Sequence, residues 1–174
     1  MLDILKALKT LEDIENRMAE LYEWLGEAFA SDEQAAALFM RLHMEEVSHR
    51  TVLQYQSRII LKNPRTFREG VSMNAEFLRG VLDAIDRFRN RADPPDLTEA
   101  VQVALMFETV AERLYHDQTF LASLDGLGTF VSKLHRGCKD HTAALKLFAM
   151  DRGILDPPHD FAYAIPDPAG TVPA

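Results

Sequence analysis

Glu46-x-x-His49 is followed, in the second half of the chain, by Cys138-x-x-His141. Each motif is preceded by a glutamate set seven residues before a tyrosine, Glu15 before Tyr22 and Glu108 before Tyr115. The offset between the copies is the same for the two glutamates as for the two tyrosines, and one residue shorter for the two histidine motifs. A helix pair written twice accounts for this, with Cys138 standing where the copy should repeat Glu46. Carboxylate and imidazole together suit iron, manganese or zinc, so the residue types point to metal binding. The spacing agrees: residues three apart lie about 300° around a helix axis, or about 60° the other way, so Glu46 and His49 can hold one ion from a single turn. Tyr22 and Tyr115 return to nearly the azimuth of their glutamates two turns on, where a phenol can hydrogen-bond an inward ligand.

The apolar pattern places these groups inside. Glu15 sits between Leu11 and Met18, Glu46 and His49 between Leu42 and Leu53, and Cys138 and His141 between Leu134 and Leu145. Glu108 continues the stripe of Val101, Ala104 and Leu105. Buried carboxylates must be neutralised by protons, by side-chain cations or by metal, because an unpaired one costs several kcal/mol. A single inward glutamate more often lies at the edge of a stripe, and a single inward histidine is more often a satisfied core residue. Three acids and two imidazoles converging on one level favour ligands. Glu112, one turn after Glu108, is a candidate for an extra carboxylate. His43, His135 and Glu45 read as helix-edge or surface residues, and Asp140 points about 100° away from His141.

Helical periodicity over four long segments, without the alternation of half-buried strands, predicts an all-α fold. The first helix is expected over residues 3–30. The second opens with Ser31 and Gln34 in capping-box spacing and ends before Asn63-Pro64. The third has Asp96 as N-cap with Glu99 three positions on and runs to about 122, and the fourth runs from about 125 to Gly153. Short links make each successive pair an antiparallel hairpin. The connection over residues 62–95 is too long to lack structure, and the apolar stripe over 75–85 predicts a shorter fifth helix within it. The bundle is expected to span residues 1–153. The tail, 154–174, carries Pro157, Pro158, Pro166, Pro168 and Pro173 and reads as extended, with Phe161, Tyr163 and Ile165 free to dock on the bundle or another subunit.

At 174 residues, 47% hydrophobic and 26% charged, the chain has material for one sizeable core. A net charge of −8 argues against a nucleic-acid footprint. A single cysteine cannot form an intrachain disulfide and fits a reducing compartment. The N-terminus does not have the form of a secretory signal, and no stretch approaches the roughly 18 uninterrupted apolar residues of a membrane span. A cytoplasmic location, with no membrane and no nucleic-acid partner, is the expectation.

With Glu15-x6-Tyr22, Glu46-x-x-His49, Glu108-x6-Tyr115 and His141 in place, the chain resembles the rubrerythrin-type branch of the ferritin-like di-iron carboxylate proteins. The resemblance covers the four long helices. It implies a ferritin-like four-helix bundle, two antiparallel hairpins joined by a long crossover, in which each half supplies a terminal glutamate and a Glu-x-x-His. Glu15 and His49 would then serve one iron, Glu108 and His141 the other, and Glu46 would bridge. It also implies redox chemistry with peroxide or dioxygen, of peroxidase or ferroxidase type, and a homodimer. Two departures qualify this. One cysteine cannot build a rubredoxin-like iron site, so electrons would come from a separate donor protein. Cys138 replaces the second bridging carboxylate, and several outcomes are open. As a protonated thiol it leaves the second metal short of a ligand. As a thiolate it favours zinc or ferrous iron; near a metal it is open to oxidation by peroxide, a redox-sensing role; as a small apolar filler it marks a centre reduced to one metal or none. The rival expectation is a non-enzymatic bundle with an incomplete metal centre, used for dimerisation or partner binding.

Overall fold

Leu8, Leu11, Ile14, Met18, Leu21, Tyr22 and Leu25 are all buried, and their helical spacing makes one continuous face of α1, Ile4–Ala28. Among the described residues four further helices follow: α2, Glu33–Lys62; α3, Ala75–Arg89; α4, Leu97–His116; and α5, Gly128–Asp151. The structure, a computed structural model, describes residues 4–63, 74–116 and 128–154, and every regular element among them is a helix. The C-terminal part of the third predicted helix, the start of the fourth, His135's side chain and the tail residues Phe161, Tyr163 and Ile165 lie outside the described residues.

The helix ends follow local chemistry. Asp96 Oδ1 accepts from Glu99 N at 2.8 Å, and Asn74 Oδ1 accepts from Glu76 N and Phe77 N, so α4 and α3 are each capped by a side chain. At α2 the cap is Asp32 rather than Ser31: its carboxylate accepts from Ala35 N at 3.1 Å and is held by Arg152 at 2.7 and 2.8 Å. A charged cap gains from the helix dipole as a hydroxyl does not, and Arg152 fixes it there. α1 stops two residues short of the expected end because the chain turns at once, Asp32 N donating to Phe29 O at 2.9 Å. Gly153, at φ 66°, closes α5, with Ile154 N donating to Ala149 O and Gly153 N to Met150 O. That pair of bonds needs a left-handed residue at the turn, which glycine adopts without strain.

Contacts set the directions of the helices. His43 of α2 faces Ala19 O, and Gln54 donates to Glu12, so α1 and α2 are antiparallel. Tyr22 reaches Glu108 and Tyr115 reaches Glu15, which runs α4 antiparallel to α1. α5 lies antiparallel to α2, with Gly137 beside His49 and His141 beside Glu45 and Glu46. The crossover helix α3 runs parallel to α1, tied by Arg17 to Asp86 and Glu20 to Arg89, with Trp24 edge-on to Phe88. The result is a helical bundle whose central level carries the acids and imidazoles. No described helix is long and apolar enough to cross a membrane.

Candidate metal centre

Four helices each contribute to one buried cluster: Glu15 from α1, Glu46 and His49 from α2, Glu108 from α4, and Cys138 and His141 from α5. Glu15, Glu46 and Glu108 are 3%, 2% and 0% exposed, so the apolar stripes carry all three carboxylates into the core. Leu42, Leu53, Leu134 and Leu145, one turn beyond the motifs on α2 and α5, are all buried and keep the level dry.

Glu46 stands at the centre. Its Oε2 lies 3.0 Å from His49 Nδ1 and its Oε1 lies 3.0 Å from His141 Nδ1. The two imidazoles stack, with ring centroids 5.2 Å apart. Glu15 Oε2 is 3.6 Å from His49 Nδ1, and Glu108 Oε2 is 3.2 Å from His141 Nδ1. Each histidine therefore faces one oxygen of Glu46 and one carboxylate of its own half. The tyrosines cross over: Tyr22 donates to Glu108 Oε1 at 2.6 Å, and Tyr115 donates to Glu15 Oε1. Each terminal glutamate is thus held by the phenol of the other half, a pairing that depends on how α1 and α4 pack.

Protons compensate the charge of this cluster. Burial pushes the Glu46 carboxyl up, and the neighbouring Glu15 carboxylate pushes further, to about 8. Burial also acts to raise Glu15, but hydrogen bonds from Glu46, His49 and Tyr115 outweigh it and hold Glu15 below the usual carboxylate range. Burial opposes charge on the imidazoles, yet the adjacent carboxylates prevail, raising His49 to about 10 and His141 to about 11. Burial lifts the Tyr22 and Tyr115 phenols well above their ordinary value, so both remain donors. Burial and then the carboxylates of Glu108, Glu15 and Glu46 push the Cys138 thiol well up, which keeps it protonated.

Glu46, His49 and His141 each offer one ligand atom within 4.8 Å of the others, so this trio can hold a metal ion. Glu15, Glu108, Cys138 and Glu112 stand outside that trio; Glu15 and Glu108 are buried beside it, Glu112 is half-buried, and Cys138 is fully buried on the cluster side of α5. Nδ1 of His43 is taken up by Ala19 O at 2.9 Å, and Asp140 is exposed, as their positions on the helices suggested. Glu45 lies at the helix edge as expected, but its contact with the cluster was not foreseen. Its side chain is 44% exposed, but Oε2 reaches to 2.7 Å from His141 Nε2. The role of Gly137 was also not foreseen: a Cβ there would overlap the His49 ring. No family model, curated protein or solved structure matches the chain. The functional reading therefore rests on the geometry of this cluster.

Proposed function

We propose that the chain is a ferritin-like protein of rubrerythrin type, binding one or two transition-metal ions, iron first among them, and acting on peroxide or dioxygen. The observation that carries this is Glu46, one carboxylate oxygen on the Nδ1 of each histidine, with Glu15 and Glu108 completing the two sides. Donors of this kind fit iron, and zinc or manganese equally by type. Bound iron would supply one-electron redox chemistry. The chain's own residues do the rest. Glu15, Glu46 and His49 would hold one ion and Glu108, Glu46 and His141 the other. The carboxylates offset the ionic charge, while Tyr22 and Tyr115 orient Glu108 and Glu15 from behind. The leucines above and below exclude water. A separate donor protein would deliver electrons, and a homodimer is the assembly proposed with this reading.

Metal analysis of protein purified without oxygen tests it, together with the near-ultraviolet spectrum after oxygen is admitted. At least about one bound transition metal per chain is expected, and less than roughly half an equivalent would overturn the reading.

A second reading is favoured by Cys138: a bundle that keeps an incomplete centre and serves in dimerisation or partner binding. It predicts metal uptake without peroxide-dependent turnover. The redox-sensing version is less well supported, since a protonated, buried thiol is a poor nucleophile toward peroxide.

A further inference from the structure

Nδ1 of each histidine faces carboxylates, but the surroundings at Nε2 differ between the two rings. Behind His141, Glu45 Oε2 stands 2.7 Å from Nε2. It lies off the N–H direction, so that this buried nitrogen has no hydrogen-bond partner. Behind His49 lies the backbone of Gly137, against which any side chain would collide with the ring. Glu45 and Gly137 occupy the same place in the two copies, immediately before Glu46 and Cys138. At that place one half offers a carboxylate to the opposite histidine, and the other half offers no side chain at all.

We propose that Glu45 is the positioning residue of His141, accepting a hydrogen bond from its Nε2–H and so fixing the tautomer whose Nδ1 lone pair faces the ion. This rests on reading the cluster as a metal centre. A ligating imidazole has one nitrogen for the metal and one for a partner, and the partner decides which nitrogen carries the proton. His141 is 1% exposed and enclosed by the core, whereas the Glu45 side chain is 44% exposed, with room for a small rotation that lines an oxygen up with the N–H. His141 is thereby the firmly held ligand. His49, its ring set against Gly137, has no such carboxylate at Nε2 among the described residues and is the looser of the pair.

Zinc binding to the full-length chain tests this, measured by competition with a chromophoric chelator for wild type, Glu45→Ala and Glu45→Gln. Imidazole NMR of the zinc-loaded proteins accompanies it. Glu45→Ala should lose about tenfold or more in zinc affinity. The His141 Nε2 proton should exchange faster, while the thermal midpoint of the metal-free chain stays close to wild type. Glu45→Gln, whose amide oxygen still accepts, should restore most of the affinity. Unchanged affinity and an unchanged Nε2 proton in Glu45→Ala would overturn the proposal while leaving the metal centre standing. A wild-type chain that takes up no zinc would overturn both.

Discussion

Around His49 stand the Glu15 carboxylate and one oxygen of Glu46; around His141 stand the Glu108 carboxylate and the other oxygen of Glu46. The two sides use the same parts, and each terminal glutamate is braced by a tyrosine from the opposite half. They differ at two adjacent positions, where Glu45-Glu46 in the first half faces Gly137-Cys138 in the second. Carboxylate, histidine and tyrosine thus recur in both halves, whereas the glutamate that stands between the two imidazoles comes from the first half alone. A centre built this way depends on Glu46 twice and can tolerate loss of the second bridge only if Glu46 serves both histidines.

The comparison breaks most completely at Glu46. Glu46→Gln keeps the shape but cannot ionise to the carboxylate that would serve both sides, so metal content of protein purified without oxygen should fall from about one ion per chain or more to background. Loss of only part of the metal would mean that one side binds without Glu46. Glu15→Gln provides the contrast, since it should weaken the His49 side and spare the other.

Proton release asks whether both histidines take part. His49, raised to about 10, and His141, raised to about 11, are protonated at neutral pH and must lose that proton to ligate. Protons therefore compete with the metal, and affinity rises with pH. Each ligating histidine contributes about tenfold per pH unit below neutrality, so the pair gives about a hundredfold, to which Glu46 adds until its own proton is lost near 8. Zinc titrations at several pH values read this slope directly. Between about pH 8 and 9, where Glu46 no longer adds, a slope no steeper than about tenfold per unit would show that only one side binds.

The part of this that was legible in the sequence is the part fixed by position along a single helix. Glu15 and Glu108 fall on apolar stripes, and Asp96 with Glu99 marks a helix start, so burial and boundary follow from periodicity and capping. What was not legible depends on contacts between helices. Glu45 is about 100° around α2 from Glu46, which reads as an edge until α5 brings His141 against it. The crossed tyrosine pairs and the contact of Gly137 with His49 likewise exist only once the helices pack. At the turn before α2, two good capping residues stand side by side, and Arg152, distant in sequence, favours Asp32.

Cys138→Glu restores the missing letter and tests whether it separates the two sides. If the second side is weak for want of a bridge, metal content should rise from about one ion toward about two per chain. An unchanged stoichiometry would place the asymmetry elsewhere, with Gly137 the nearest difference.

The finest distinction concerns the braces. Tyr22→Phe and Tyr115→Phe each keep the ring and remove one hydroxyl, leaving a buried carboxylate oxygen without its donor at about 1–3 kcal/mol. The two losses should not be equal. Glu15 keeps hydrogen bonds from Glu46 and His49 when Tyr115 is removed, whereas among the described residues Glu108 keeps His141 alone when Tyr22 is removed. Tyr22→Phe should therefore lower the denaturation midpoint of the metal-free chain further than Tyr115→Phe. The reverse order would mean that the shared proton between Glu15 and Glu46 does not relieve Glu15, and that the first half depends on its brace more than its geometry implies.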